Sequence, residues 1–301
     1  QENVLWNSPK NSWSMYHSLK KNSMRALSVT NLRFDDTSPH GSEDEKQEKS
    51  KDYTLKPKSI ASTNIIPIGL SLGILVIVWE LWILITDVPV YIVPSPHIVL
   101  ERLLQDIDFF AWHMTITLLE ALSGLAIASM IAIISATFMV HSKLLEKTLF
   151  PLALIVKVTP IIAIAPLLVI WFGFGYGPKI SIAALITFFP VLVNTLTGLR
   201  SVNPNSLEFF RSVNASKKEI FFRLRIHSCL PYLFAAFRIA VPLSVIGAVV
   251  EEFFTGSIGL GSIIFIAHHN LDMPTAFASI FILGFISISL NLLISYLETK
   301  L

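Results

Sequence analysis

The ionisable side chains of this 301-residue sequence are unevenly distributed, and few lie where they could do chemistry. Only 15% of the residues are charged and 53% are hydrophobic, whereas a soluble globular domain usually carries about 25% charged residues. The long apolar stretches contain a handful of acidic and basic residues, among them Glu80, Glu120, Lys157, Glu251 and Glu252. Because a charge within lipid is costly, each of these is a candidate for a functional or structural polar contact.

The sequence offers no set of residues typical of an active site. No Ser/His/Asp or His/Asp set falls at one depth of the apolar stretches, and the single cysteine, Cys229, excludes an internal disulfide. His268 and His269 are adjacent, so their rings diverge on a helix, which disfavours a metal site. The segment GFGYG (173–177) lacks the Lys-Ser/Thr of a phosphate-binding loop and is interpreted as a tight turn. We therefore predict no catalytic residue, no bound metal and no bound cofactor, and a membrane enzyme is the least favoured interpretation.

One basic block interrupts the apolar sequence. Residues 208–240 contain six Lys and Arg residues in a pattern typical of helices. Ser216 is a candidate N-cap, and Glu219 three positions later would complete a capping box. Pro231 is predicted to end this helix and to open the next apolar stretch. The block is therefore predicted to form two short helices with a tight corner, which either dock another protein or only fix the topology at lipid head groups.

Six apolar stretches predict the elements that position these residues. A spanning helix needs about 20 predominantly apolar residues and satisfies its backbone polar groups internally. The candidate spans are residues 65–86, 112–140, 147–172, 179–199, 232–254 and 275–297. The predicted fold class is all-α, a polytopic membrane domain of about six transmembrane helices over residues 63–301. Pro160, Pro166 and Pro190 are expected to kink or break their spans.

Residues 1–62 form a polar tail that is predicted to be disordered. Its acidic residues and its lack of a hydrophobic core argue against a targeting signal. Lys and Arg are concentrated in this tail, in the 141–147 loop and in the 200–231 segment, and they are scarce in the loops between these. This alternation predicts that both termini and the basic block lie in the cytoplasm.

The basic block resembles the Glu-Ala-Ala loop of permease subunits in type I ATP-binding-cassette (ABC) importers. That loop has a Glu, small residues, a Gly-Ala pair, a Phe and a closing Leu-Pro, and the matching residues are Glu208, Ala215, Phe222, Leu230 and Pro231. Asn214 stands at the glycine position, and asparagine tolerates left-handed backbone angles. Phe209 and Phe210 stand at the two alanine positions, so we expect an altered fit to the ATPase groove.

The resemblance covers residues 67–299. The segments PIIAIAPLLVIWFGFGYGPK (160–179) and SVIGAVVEEFFTGSIGLGSII (244–264) resemble the nitrate/sulfonate/taurine branch of these permeases. Within the branch, the chain is most similar to permeases for the thiamine pyrimidine precursor and for riboflavin. The resemblance implies the type I (MetI-like) permease fold in the bacterial inner membrane.

The resemblance also implies partners. These are cytoplasmic ABC ATPase subunits, which would use ATP and Mg²⁺, an external substrate-binding protein, a second permease copy in a homodimer, and membrane lipid, with no nucleic acid. It assigns ATPase coupling to the loop 203–231, with the contact formed by Glu208, Arg211, Asn214, Ala215, Ser216, Lys217, Phe221, Phe222, Arg223, Leu230 and Pro231. Phe221, Phe222 and Leu224 would either anchor the ATPase or pack against the permease's own spans.

Polar side chains within the spans supply candidates for the substrate path. These are Trp171, Asn194, Ser244 and Glu251. Glu80 and Glu120 are expected to make structural hydrogen bonds, and Lys157 is expected to reach the membrane surface. The scarcity of basic residues in the spans favours a neutral heteroaromatic substrate. The alternatives are an importer of nitrate, sulfonate, taurine or bicarbonate and, from another class, an ion-coupled secondary transporter.

Overall fold

The computed structural model describes residues 65–300, and all regular secondary structure within them is helical, which confirms the all-α prediction. The helices are α1 (Ile65–Thr86), α2 (Pro96–Gln105), α3 (Ile107–His141), α4 (Lys143–Val158), α5 (Ile161–Phe172), α6 (Tyr176–Arg200), α7 (Pro204–Ser212), α8 (Lys217–Glu219), α9 (Ile226–Thr255), α10 (Leu260–His269) and α11 (Met273–Lys300). The tail predicted over residues 1–62 lies outside the described residues.

Five helices of the described chain are long and apolar enough to cross a membrane. They are α1, α3, α6, the helix that contains α9, and α11. Their bounds agree with the predicted spans to within a few residues, except where a proline was misjudged. Two further helices, α2 and α10, lie in loops for which no helix was predicted.

The predicted span 147–172 is broken at Pro160, as expected of that proline. It is divided into α4 and α5, which are bent by 97° relative to each other. The break falls at Thr159 and Pro160, where both residues have extended backbone angles. Proline has no N–H to donate and disfavours a helical conformation of the residue before it. By contrast, α5 and α6 continue through Pro166 and Pro190.

The prediction that a helix ends at Pro231 is wrong. The helix runs from Lys217 to Thr255 and passes through a π-helical turn at Ile220–Arg225. In that turn the Ile226 N–H donates to the carbonyl of Phe221, five residues earlier. Prolines are tolerated in membrane helices where neighbouring helices and local π adjustments satisfy the freed backbone groups. Pro231 therefore lies inside α9.

Helices α3, α6 and α9 form the centre of the described bundle and meet at small residues. A Cβ added at Gly124 of α3 would lie 2.6 Å from the Ala183 Cβ of α6, and one at Gly247 of α9 would lie 2.7 Å from the Ala183 Cα. Lipid tails are as apolar as the side chains, so helices in a membrane associate largely through close van der Waals packing at small residues. Ala183 is therefore where α6 approaches both α3 and α9 closely.

Helix α1 packs on the outside of this centre. The Trp79 ring lies 5.9 Å from the Phe277 ring and 5.8 Å from the Phe281 ring, both on α11. Glu80 bonds the His97 ring across 2.7 Å, which confirms the structural hydrogen bond expected of Glu80. Most other side chains of α1 are exposed and apolar, as a lipid-facing helix requires.

Substituting alanine at Gly247 should destabilise the bundle. The new methyl group would meet the Ala183 backbone, and overpacking of this kind costs roughly 1–3 kcal/mol. We expect Gly247→Ala to lower the midpoint of thermal unfolding in detergent. Gly284→Ala is the matched control, because nothing lies within 4 Å of its added Cβ, and it should unfold at or slightly above the wild-type temperature. Equal midpoints for the two variants would contradict the close approach.

Candidate functional site

Two polar regions lie at opposite ends of the central helices. At one end, which we call the loop end, α3 and α6 finish, α4 begins, and residues 203–231 form the basic segment. At the other, which we call the far end, α3 and α6 begin, α9 finishes, and α10 packs. Each end contains an ion pair between two helices. Arg200 donates to Glu146 at the loop end, and Lys179 donates to Glu120 at the far end.

The basic segment opens with α7, whose end forms the predicted tight corner. Asn214 has φ 57°, the left-handed conformation expected of it. The Asn214 N–H donates to the Arg211 carbonyl, and the Ala215 N–H donates to the Phe210 carbonyl at 2.9 Å. These two bonds make a Schellman motif, which satisfies carbonyls at a helix end and needs a left-handed residue at this position. The corner is therefore specified by Asn214 itself.

The next helix begins at the predicted capping box. The Glu219 N–H donates to the Ser216 hydroxyl at 3.3 Å, and the Ser216 N–H donates to the Glu219 carboxylate at 2.8 Å. Both reciprocal bonds of the box are thus present. The corner has a defined structure on each side, with one helix closed and the next one opened by side chains of the segment.

The aromatic residues of the basic segment divide into outward and inward rings. Phe209 is 64% exposed and Phe222 is 62% exposed. Phe221 is partly buried, and its ring lies 5.3 Å from the His141 ring at the end of α3. Phe222 is thus available to a partner, whereas Phe221 packs against the chain's own spans. Phe209, which departs from the family pattern, presents a further large ring on the outside.

The other residues predicted for coupling are distributed along the same surface. Exposed members are Glu208, Arg211, Asn214, Ser216, Lys217, Arg223 and Pro231, while Ala215 and Leu230 are partly buried. Arg225 donates to the Leu199 carbonyl at 3.2 Å, and Arg200 makes two bonds to Glu146, at 2.8 and 2.6 Å. These contacts fasten the segment to α6, and α6 to α4.

The far end contains a buried ion pair between α3 and α6. The Lys179 ammonium donates to the Glu120 carboxylate at 2.9 Å and to the Ile258 carbonyl at 2.6 Å. The exposed fractions of the Lys179 and Glu120 side chains are 2% and 0%. Buried charges are tolerated when they are paired and hydrogen-bonded, so this pair joins α3, α6 and the loop after α9.

Glu252 at the end of α9 holds the start of α10. Its carboxylate accepts the Gly261 N–H at 2.6 Å and the Thr117 hydroxyl at 2.7 Å. The same hydroxyl accepts the Leu260 N–H at 2.9 Å. The first N–H groups of a helix lack partners within the helix and favour a negative charge nearby. Glu252 and Thr117 therefore serve as the cap that α10 lacks in its own sequence.

Gly259 completes this junction. Its N–H donates to the His113 ring at 3.1 Å, and its φ is 128°, which side chains other than glycine rarely adopt. A Cβ at this position would lie 1.9 Å from the Glu252 carboxylate. Glycine is thus required here by both backbone angle and space.

The four residues predicted for the substrate path are dispersed. Trp171 is 69% exposed near the end of α5. Asn194 is partly buried, Ser244 is fully buried, and each donates a hydrogen bond to a carbonyl of its own helix. Glu251 is fully buried, and neither carboxylate oxygen has a hydrogen-bond partner within residues 65–300. No hydrogen bond in that range joins any two of the four, and Glu251 is the one that adjoins Glu252 at the far end.

The sequence interpretation missed Lys179. Lys179 follows the turn at GFGYG and begins the predicted span 179–199, and it was not among the candidate residues. A signal was present in the spacing, since Lys179 and Ala183 are one helical turn apart and the small residue marks the face that packs inward. Lys157 has its ammonium 4.7 Å from the centre of the Phe189 ring, and its reach to the membrane surface stays a prediction.

Residues 124–301 match the family described as "Binding-protein-dependent transport system inner membrane component". The chain is 36% identical to the formylaminopyrimidine transport permease protein ThiX of Halalkalibacterium halodurans, over 71% of this chain and 86% of that protein. It is 34% identical to the riboflavin transport system permease protein RibX of Chloroflexus aurantiacus, over 77% of this chain and 87% of that protein.

More distant similarities point the same way. The taurine transport system permease protein TauC of Escherichia coli is 26% identical, over 78% of this chain and 89% of that protein. A solved structure, the crystal structure of an amino acid ABC transporter with histidines, has a TM-score of 0.54 and 18% identity, covering 66% of this chain and 97% of that chain. The structural match supports the type I permease fold predicted from the sequence.

Removing one member of the buried ion pair should cost far more than removing both. Lys179→Met leaves the Glu120 carboxylate unpaired, and breaking a buried pair in this way costs about 3–5 kcal/mol. The double variant Lys179→Met/Glu120→Met removes both charges and should recover much of that loss. The test compares the thermal unfolding midpoints of Lys179→Met, Glu120→Met and the double variant in one detergent. Additive losses in the double variant would contradict a coupled pair.

Proposed function

Because the chain belongs to the family of binding-protein-dependent transport system inner membrane components, it is the membrane permease of an ABC importer, and we propose that its substrate is a thiamine pyrimidine precursor or a similar heteroaromatic solute. Permeases of this family work with ATPase subunits and a substrate-binding protein, and the chain is a translocation subunit, not an enzyme. We propose that ATP and Mg²⁺ are used by a separate ATPase and that this chain binds no cofactor. Family membership argues against the ion-coupled secondary transporter.

The excess of buried carboxylates at the far end is the observation that carries the substrate proposal. Glu120, Glu251 and Glu252 are all fully buried there with one cation, Lys179. Both oxygens of Glu251 lack a donor among the described residues. An aminopyrimidine supplies N–H donors to the Glu251 carboxyl oxygens, whereas nitrate and sulfonate offer only acceptor oxygens there.

The identities of the relatives support the same choice. The permeases for formylaminopyrimidine and riboflavin are 36% and 34% identical to this chain. The taurine permease is 26% identical, and a nitrate import permease protein is 22% identical. An anion importer stays the second candidate, because these relatives belong to the same family and the external binding protein selects much of the substrate.

We propose that the ATPase docks on the basic segment. The exposed rings of Phe209 and Phe222 would enter the ATPase groove, and the exposed basic side chains would surround them. The helix that starts at Lys217 continues to Thr255. At about 1.5 Å per residue it extends roughly 58 Å, which is long enough to cross the membrane. Motion imposed on its start would therefore reach Glu251 and Glu252 near its end.

Alternating access would then expose Glu251. The residue is enclosed in the described conformation, so a shift of α9 against α3 and α6 is needed before a substrate can reach it. In the proposed arrangement two copies of the permease form an isologous dimer. The loop end and both termini face the cytoplasm, and the far end faces the binding protein.

The substrate proposal is tested with a reconstituted importer. The full chain would be purified with its ATPase and assayed with the binding protein encoded beside it, loaded in turn with formylaminopyrimidine, riboflavin, nitrate or taurine. We expect a heteroaromatic ligand to stimulate ATP hydrolysis and uptake, and Glu251→Gln to reduce uptake while leaving basal ATP hydrolysis in place. Stimulation by nitrate or taurine instead would establish the anion importer.

Substitutions at Asn214 test the docking corner. Proline cannot adopt φ 57° and has no N–H for the Arg211 carbonyl. We expect Asn214→Pro to insert at normal levels but to reduce uptake about tenfold or more while ATP hydrolysis becomes independent of the loaded binding protein. Asn214→Gly is the matched control, because glycine adopts the same angle, and it should transport normally. Wild-type uptake by the proline variant would remove the corner from the coupling path.

A further inference from the structure

A large groove at the loop end has no role in the transport scheme above. Its volume is about 1260 Å³, and it lies between the end of α3, the start of α4, the end of α6 and the start of α9. Residues that line it include Lys143, Lys147, Phe150, Val193 and Arg225. It is separate from the outward ring of Phe222 and from the carboxylate cluster at the far end.

The groove changes from charged to apolar along its length. The charged side chains Lys143, Lys147 and Arg200 stand at the helix ends that form its mouth. Phe150 and Val193 line it about two turns deeper, which is roughly 10 Å further along the helix axes at 1.5 Å per residue. The groove therefore has a polar mouth at the membrane boundary and an apolar floor within the membrane.

Positive charge at the mouth is only partly neutralised. Glu146 is the one acidic residue in the lining, and both of its oxygens accept bonds from Arg200. Lys143 and Lys147 are exposed, and neither makes an ion pair with any residue in the range 65–300. Arg225 donates one bond to a backbone carbonyl. Three cations thus remain for an external anion.

We propose that this groove binds an anionic phospholipid. The phosphate would lie between Lys143, Lys147 and Arg225, and the start of an acyl chain would cover Phe150 and Val193. Basic pockets between membrane helices at the cytoplasmic face recognise acidic head groups in this way, and Lys and Arg stems pack along apolar surface while their charges reach the interface. A free anion would use the mouth but leave the apolar floor uncovered.

A lipid in this position would join three helices. Lys143 and Lys147 belong to α4, Val193 belongs to α6, and Arg225 directly precedes α9. The lipid would therefore stabilise the contact between the α4–α5 pair and the helix that starts at Lys217. This inference does not depend on which solute is transported, so the two proposals can fail separately.

Lipid retention by purified protein tests the proposal. The full chain, purified with its ATPase in mild detergent, would be mixed with phosphatidylglycerol or phosphatidylcholine of identical acyl chains, and native mass spectrometry would count the bound lipids. We expect the wild type to retain phosphatidylglycerol in preference to phosphatidylcholine. In Lys143→Gln/Lys147→Gln that preference should fall about tenfold or more. The matched control is Lys218→Gln/Lys300→Gln, which removes two exposed cations outside the groove lining and should keep the preference.

Three outcomes would overturn the proposal. One is equal retention of phosphatidylglycerol by the groove variant and the control. Another is displacement of the lipid by inorganic phosphate at millimolar concentration, which would make the mouth a site for free anions. The third is cysteine cross-linking of the groove to a second permease copy or to the ATPase, because a protein partner would then cover it. The folded state of each variant is checked by its unfolding midpoint in the same detergent.

Discussion

The cost of an unpaired polar group in lipid is the constraint on which the rest of this structure depends. The start of α10 has N–H groups that need acceptors, and Glu252 and Thr117 supply them from two other helices. The Lys179 ammonium needs a counter-charge, and Glu120 supplies it from α3. Each solution joins separate elements, because the partner comes from a different helix. Hydrogen bonding of these polar groups at the far end therefore fixes how α3, α6, α9 and α10 are arranged. Apolar packing at Ala183 holds α3, α6 and α9 together as well.

The same constraint bears on the helix that joins the two ends. A helix that ended at Pro231 would have left free carbonyls at the membrane boundary and a joint between the docking segment and the span. The helix instead continues from the π turn at Ile220–Arg225 through Pro231 to Thr255. The docking segment and the far-end carboxylates consequently belong to one element. Its start is held by the capping box of Ser216 and Glu219, and its end is held by the bonds of Glu252 to α10. The two ends are therefore joined by one helix and not by a loop.

The sequence was sufficient to predict local structure where the contacts that determine it are close along the chain. The left-handed Asn214 and the capping box at Ser216 depend on residues within five positions, and both were predicted correctly. The long spans followed from apolar length alone. Prediction failed where the decisive partner is distant: Lys179 pairs with Glu120, 59 positions earlier, and the Leu260 N–H at the start of α10 donates to Thr117 of α3. Pro160 and Pro231 are chemically identical, yet one lies at a break and the other inside a helix, so the residue type alone does not decide between these outcomes.

The two ends of the permease differ in charge, and this difference bears on what can pass. The far end has three buried carboxylates and one buried cation, whereas the loop-end groove has unpaired cations at its mouth. In the proposed orientation a solute arrives from the binding protein at the carboxylate end. Nitrate and sulfonate have only acceptor oxygens, so they cannot donate hydrogen bonds to the buried Glu251 oxygens. A neutral ring with N–H donors can satisfy the Glu251 oxygens that the chain leaves without donors. The missing hydrogen-bond donors at the far end thus favour the heteroaromatic solute for a reason independent of the similarity to its transporters.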